Sequence, residues 1–221
     1  MTEFNQEIST PKTVNPLVGI VIILVSLLVF SGIGIVIGNQ FFWNQYNYIS
    51  RADAVLAQNL EKVKADPKNP NKLADLGWAY FQKQDYEKAI ATYKEALKYD
   101  DNHFTAKANL GLSYLSLEQY EKAEDYLKQA LKIVPKSDLV HTNLAIVYIK
   151  KGQYQQAKQE LDTAYRINPG SVDIIYYMGV ASEKLGELDE AKNLYKEALT
   201  LDPKFAKATE ALNKLDQPGK R

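Results

Sequence analysis

The sequence contains no cysteine among its 221 residues. Disulfide bonds, thiolate catalysis and cysteine-ligated metals are therefore excluded. Lysine and arginine together number 27, and so do aspartate and glutamate, so neither sign of charge is in excess. Because a nucleic-acid-binding surface needs a basic face, this balance argues against nucleic acid as a partner.

The groups that carry catalysis or hold cofactors are also sparse. The two histidines, His103 and His141, lie far apart in sequence and outside any His-Glu-x-x-His spacing. No serine has a Gly-x-Ser-x-Gly context, and no glycine-rich phosphate loop occurs. We therefore expect a protein that is not an enzyme and has no catalytic residues, metal site or cofactor.

One long apolar run is present near the N-terminus. After a polar segment, 1–16, which we interpret as a flexible tail, residues 17–38 contain no charge. As a helix these 22 residues would extend about 33 Å, which matches the apolar thickness of a bilayer. Aromatic residues follow at once, as in a membrane-interface belt. The run therefore predicts a single transmembrane helix that contacts the lipid bilayer.

The flanks of this run favour a retained signal anchor over a cleaved signal peptide. The preceding segment is not basic, the apolar core is long, and no Ala-x-Ala site follows. Lys12 and Arg51 on the two sides nearly balance the positive-inside count. We expect a single-pass protein of the cell membrane whose C-terminal part lies outside the cytoplasm, with the cytoplasmic side as the alternative.

Residues 39–69 form a juxtamembrane connector. Apolar residues recur there at helical spacing between Ala52 and Val63, and Asp66-Pro67 ends the pattern. We expect a helix that takes the place of the second half of a missing repeat.

From residue 70 to 205 a unit of 34 residues recurs four times, as 70–103, 104–137, 138–171 and 172–205. Each copy divides into two apolar-periodic segments joined by a turn. Small residues recur at fixed positions: Gly77, Gly111, Ala145 and Gly179, then Ala89, Ala123, Ala157 and Ala191, then Ala96, Ala130, Ala164 and Ala198. Prolines close three copies, at Pro135, Pro169 and Pro203, and Asp101 takes that place in the first.

This pattern resembles the tetratricopeptide repeat. The family's tryptophan position holds Leu73, Lys107, His141 and Ile175, so this marker does not match. The resemblance implies an all-α, right-handed α-solenoid of four helix–turn–helix repeats. A capping helix and tail follow in residues 206–221, and the transmembrane helix precedes the stack.

Two local expectations follow from the repeat. Gly152 and Gly186 should adopt the left-handed backbone that ends the first helix, whereas Gln84 and Glu118 replace glycine there at some cost. The small residue at Gly77 and its equivalents should let the two helices of a copy approach each other. The tyrosine one turn later, Tyr80 in the first copy, should fill the space beside it.

The resemblance places the first helices along a concave groove. The position of Trp78 is polar in idealised family members but apolar in all four copies here. The predicted protein-binding residues are Trp78, Phe81, Asn109, Leu112, Leu115, Asn143, Ile146, Ile149, Tyr176 and Val180, with Ala74, Ala108 and Thr142 beside them. Ala74, Trp78 and Leu139 stand where a carboxylate clamp needs lysine or asparagine, so that type of site is not expected.

We interpret the chain as a membrane-anchored scaffold or adaptor that binds a helix or extended peptide segment of another protein in this groove. The alternative is a structural or assembly subunit of a larger membrane complex that uses the transmembrane helix and the connector. Self-association into a homo-oligomer stays open.

Overall fold

The computed structural model describes residues 51–216, which form ten α-helices and belong to one compact unit, Ser50–Arg221. The helices are α1 (Arg51–Ala65), α2 (Pro70–Gln82), α3 (Tyr86–Tyr99), α4 (Phe104–Ser116), α5 (Tyr120–Ile133), α6 (Asp138–Lys150), α7 (Tyr154–Ile167), α8 (Val172–Leu185), α9 (Leu188–Leu201) and α10 (Ala206–Asp216). This part of the chain is an all-α repeat solenoid. Helices α2, α4, α6 and α8 are the first helices of the four copies, and α3, α5, α7 and α9 are the second helices.

Side-chain caps fix where the first helices begin. Asn69, His103, Ser137 and Ser171 each accept a hydrogen bond from a backbone N–H of the first turn that follows. Among the second helices, Asp85 caps α3 in the same way, whereas α5, α7 and α9 begin without a side-chain cap. The first helix of every copy therefore begins at a side chain that caps it.

The turns inside the copies use left-handed backbone, as expected. The φ angle is +74° at Gly152 and +83° at Gly186, and it is +61° at Gln84 and +57° at Glu118. Glycine adopts this region freely, but a side chain there costs about 1–2 kcal/mol. The first two copies therefore keep the turn geometry with strained residues.

The core lies between first and second helices and forms two clusters: a large one extends from the first copy to α8, and a smaller one joins α8, α9 and α10. Its buried side chains include the recurring alanines together with leucines and tyrosines such as Leu110, Leu144 and Tyr93. First helices of neighbouring copies also contact each other, which makes them one continuous layer. Helices α3, α5 and α7 each pack against the first helix of the next copy, so the contacts of the stack continue across the copy boundaries.

Helix α1 precedes the stack as an additional second helix would. It packs on α2, and Val63 joins the shared core. Lys83 forms an ion pair with Asp53 of α1. Two periods later, the equivalent residues are Lys151 and Glu121, whose charged groups lie 3.8 Å apart. The junction of α1 with the first copy therefore repeats an ion pair used between later copies.

Helix α10 covers the other end of the stack. Ala208 is fully buried there, and Leu212 and Leu215 pack in the same cluster with Phe205. The helix lies within residues 206–221, the segment expected to hold the capping helix and tail.

The segment predicted to cross the membrane, residues 17–38, lies outside the described residues. Between residues 51 and 216, no helix combines the length and apolar character that a membrane crossing needs.

Candidate protein-binding face

The face of the first helices that points away from the second helices is the candidate site, here called the inner face. It has two edges. The connections between copies, where first helices begin, form the loop edge, and the turns within copies, where first helices end, form the turn edge. Residues spaced by four or seven along a first helix share this face.

Helices α4 and α6 are apolar on two opposite sides. Their core side includes Leu110 and Leu144, which are buried. Their inner side carries Leu112, Leu115, Ile146 and Ile149, which are only partly buried. The second helices α5 and α7 instead expose charged and polar side chains opposite their buried alanines. A helix that is apolar all round is usually covered on all sides, but no other described residue fully covers this face.

Among the large apolar side chains of the inner face, Trp78 in the first copy and Leu139 in the third are exposed. Trp78 is 39% exposed and stacks on Phe81 with ring centroids 5.1 Å apart. Phe81, Leu115 and Ile149 pack partly against the core, and so do Tyr176 and Val180. The structure thus brings the predicted residues onto one continuous face.

Sequence reasoning missed Leu139 as a lining residue. Leu139 lies seven residues before Ile146 in α6 and is 64% exposed, the largest exposure among the described apolar side chains of its size. Its place at the second position of the third copy, in line with Ile146, was the signal that could have identified it.

The small residues beneath this face do let the helices approach, but another side chain fills the space. A methyl group at Gly77 would lie 2.5 Å from Tyr93 Cε1, and one at Gly111 would lie 2.5 Å from Leu127 Cγ. The expectation that the tyrosine of the next turn fills this space was therefore wrong. The residue that does so comes from the second helix, because its side chain reaches across onto the first.

Asn109 has a neighbour inside the protein. Burial raises the pKa of the Tyr93 hydroxyl, and the nearby Asn109 amide opposes this shift. The hydroxyl is nevertheless buried without a hydrogen-bond partner in the described part of the chain, so the two groups are close but not well aligned. Asn109 therefore has a packing role in addition to any role at the surface. Asn143 is its equivalent in the third copy, but the residue equivalent to Tyr93 is there Leu127, which has no hydroxyl.

The two histidines have structural partners. His103 Nδ1 accepts the Ala106 N–H at the start of α4. His141 Nδ1 lies 2.6 Å from Glu160 Oε2, and its Nε2 lies 3.0 Å from the Pro135 carbonyl oxygen. Across residues 51–216, no three His, Asp or Glu side chains gather in a way that could hold a metal ion.

Comparison with protein families identifies the repeat. A family model described as tetratricopeptide repeat matches residues 74–138, and a second with the same description matches residues 114–173 and 150–215. Together they cover more than half of the chain. A search of curated protein sequences gives no match.

Solved structures share the fold. TTC0263, a tetratricopeptide repeat protein of Thermus thermophilus, superposes with a TM-score of 0.65 at 21% identity, over 77% of this chain and 93% of its own. YrrB, described as having an unusual peptide-binding site, gives 0.62 at 19% identity, over 77% and 88%. The first such domain of Spaghetti (RPAP3), bound to an HSP90 peptide, gives 0.51 at 25% identity, over 53% and 94%. Because the family models match more than half of its length, the chain belongs to the tetratricopeptide repeat family.

Proposed function

We propose that this protein is a non-catalytic adaptor that binds a segment of another protein on its inner face. The observation that supports this most directly is the two-sided apolar character of α4 and α6. One side of each helix builds the core, and the other carries Leu112, Leu115, Ile146 and Ile149, which are only partly buried. Contiguous apolar surface of this kind marks interaction sites in soluble domains.

The relatives support peptide binding as a use of this fold. The family generally mediates protein–protein or peptide binding; YrrB is described as having an unusual peptide-binding site, and the RPAP3 domain is bound to an HSP90 peptide. The chain differs where a carboxylate clamp would need cationic or amide groups, since Ala74 is buried and Trp78 and Leu139 are exposed apolar residues. The proposed ligand is therefore held by apolar contacts along the face.

The proposal includes a membrane location. Residues 17–38 act as an uncleaved signal anchor, and the repeats lie outside the cytoplasm. The length and flanks of the uncharged run support this, as argued from the sequence. Protease added to sealed, right-side-out membrane vesicles should digest the repeats, whereas protection until the vesicles are lysed would place them inside.

An assembly subunit whose inner face is covered by its own complex is the competing function. The exposure of Trp78 in the single chain favours an accessible face. Oxidation of Trp78 by a water-soluble reagent in native membranes distinguishes the two, because a permanently covered face would protect it; Trp43→Phe removes the second tryptophan of the chain from the readout.

Paired charge insertions test the adaptor function. Leu112→Glu with Ile146→Glu places two carboxylates on the inner face, and it should abolish recovery of the partner in a membrane pull-down. Ala91→Glu with Gln159→Glu adds the same charge to exposed positions of second helices and should leave recovery unchanged. Helical circular dichroism of both variants must match the wild type. Equal recovery from both variants would contradict the proposal.

A further inference from the structure

Side chains on the inner face change size in opposite directions at its two edges. Nearer the turn edge the largest side chain is in the first copy and the smallest in the fourth, in the order Trp78, the equally large Leu112 and Ile146, and Val180. Nearer the loop edge the side chains grow, in the order Ala74, Ala108, Thr142, Tyr176. The largest side chains therefore lie at the turn edge in the first copy and at the loop edge in the fourth copy.

The turn-edge bulk in the first copy is an ordered aromatic ridge. Trp78 and Phe81 are stacked with their ring planes 8° apart, and Phe81 contacts Tyr86 with ring centroids at 5.3 Å. The three rings therefore form one continuous row of aromatic contacts beside the small side chain of Ala74.

A second aromatic ridge stands at the loop edge of the fourth copy. The Tyr176 ring lies 5.5 Å from that of Phe205 and 5.8 Å from that of Tyr195. Lys207 Nζ lies above it at 6.0 Å from the ring centroid. The bulky side chains of the fourth copy therefore lie at its loop edge, whereas its turn edge carries the smaller Val180.

The lowest path across the inner face is consequently diagonal. It enters at the loop edge over Ala74 and Ala108, which are 3% and 9% exposed. It passes the aliphatic side chains of α4 and α6 and leaves at the turn edge beside Val180. Neighbouring helix axes lie about 8–10 Å apart, so three steps between first helices span roughly 24–30 Å. An extended peptide covers that length with about 8–10 residues.

The two ends of this path differ in charge. Asp75 is exposed beside the entry, and Lys150 and Lys184 are exposed one helical turn beyond Ile146 and Val180 at the exit. Glu183 and Lys207 are engaged within the protein, because Glu183 accepts a hydrogen bond from the Tyr195 hydroxyl at 2.8 Å and Lys207 lies over Tyr176. Asp173 is also exposed, but it lies at the loop edge of the fourth copy, on the far side of Tyr176 from the exit.

We propose that the ligand of the inner face is one extended segment of another protein that lies along this diagonal, with an uncharged apolar centre, a basic residue beside Asp75 and an acidic residue beside Lys150 and Lys184. An extended chain suits the path because a ridge narrows it from each side, whereas an α-helix with its side chains is about 10–12 Å wide. The proposal rests on the adaptor function and specifies its ligand.

Selection from a phage-displayed library of random dodecamers tests the proposal, with the full-length chain in phospholipid nanodiscs as bait and empty nanodiscs to remove background. Twelve residues reach both ends of the path only when extended. The expected peptides carry an apolar centre with one basic and one acidic end, always in the same order. Asp75→Lys should exchange the basic end for an acidic one, and Lys150→Glu with Lys184→Glu should exchange the acidic end for a basic one. Each change should weaken the original peptides about tenfold or more.

One control variant and two outcomes separate this inference from the adaptor function. Lys132→Glu, on the exposed side of a second helix, is the charge control and should not alter the selection. If the selected peptides are lost in Leu112→Glu but keep their end charges in the reversal variants, the diagonal is wrong while the adaptor function survives. If no selected peptide depends on Leu112, both fail.

Discussion

At the residue scale, departures from the repeat pattern are compensated by local contacts. Lys107 takes the tryptophan position of the second copy and Asp101 the proline position of the first, and their charged groups lie 3.7 Å apart. His141 takes the tryptophan position of the third copy and contacts Glu160. These substitutions replace apolar packing by polar contacts at the same place in the stack.

Glycine should relieve the two strained turns. Gln84→Gly and Glu118→Gly remove a side chain from left-handed backbone, and each should raise the free energy of unfolding by about 0.5–1 kcal/mol. Urea unfolding followed by circular dichroism measures the change. Gly186→Ala is the matched reverse case, because nothing lies within 4 Å of the added methyl and only the backbone angle is affected. A loss of stability in both glycine variants would contradict the assignment of strain.

Position 77 should tolerate only glycine because the Tyr93 ring occupies the space that a larger side chain would need. Alanine favours helix over glycine by about 1 kcal/mol, but overpacking a core typically costs about 1–3 kcal/mol. Gly77→Ala should therefore destabilise the wild type. It should cost less in a Tyr93→Leu background, since the third copy already combines Ala145 with Leu161. An equal cost in both backgrounds, measured as a double-mutant cycle in urea, would show that Tyr93 is not the cause.

At the element scale, the second helices differ from one another at their starts. Asp85 caps α3, whereas Gln153 makes no cap at α7 and its side-chain oxygen is buried without a hydrogen-bond partner in the described residues. The start of α7 is therefore less stabilised than that of α3, where an aspartate at the equivalent position provides the cap.

Aspartate at position 153 should stabilise the protein. Gln153→Asp supplies a cap and removes the unsatisfied amide, which is expected to add about 1 kcal/mol to the free energy of unfolding. Asp85→Gln is the reciprocal change and should cost a similar amount. Thermal unfolding of the two variants checks the pair, and a fall in the midpoint of Gln153→Asp would contradict the capping argument.

Acid should weaken the junction between the second and third copies. Burial alone would raise the pKa of Glu124, but hydrogen bonds from Lys128 and Lys151 at 2.6 Å outweigh it and hold the pKa below its ordinary value of 4.5. A carboxyl whose pKa is lowered by folding contributes stability above its ordinary pKa and loses it as the pH falls through the folded value.

The effect of Glu124 on unfolding can be isolated by substitution. Glu124→Gln should lower stability at pH 7 and flatten the loss of stability below about pH 4.5. Glu121→Gln is the control, since Glu121 is 82% exposed and lies 3.8 Å from Lys151. The same acid dependence in wild type and Glu124→Gln would show that this carboxyl is not coupled to folding.

At the scale of the whole molecule, the repeat period predicted the solenoid but only part of the site. Helical periodicity and the recurring alanines indicated the helices because both follow from local spacing. The period could not reveal that Tyr93 rather than the tyrosine of the next turn fills the space at Gly77, because that contact joins two helices. It also did not reveal the ridges at Trp78 and Tyr176, which depend on how neighbouring side chains stack. Leu139 is different, because its repeat position in line with Ile146 already indicated the inner face.

The central claim is that the inner face, and not the outer face of the second helices, binds another protein. Photo-crosslinking in living cells tests it most directly, with benzoylphenylalanine placed at Leu112 on the inner face or at Gln159 on the outer face. The account predicts a discrete adduct from position 112 and none from position 159, and loss of that adduct when Ile146→Glu is added. Adducts of equal yield from both positions, or an adduct from position 159 alone, would contradict it.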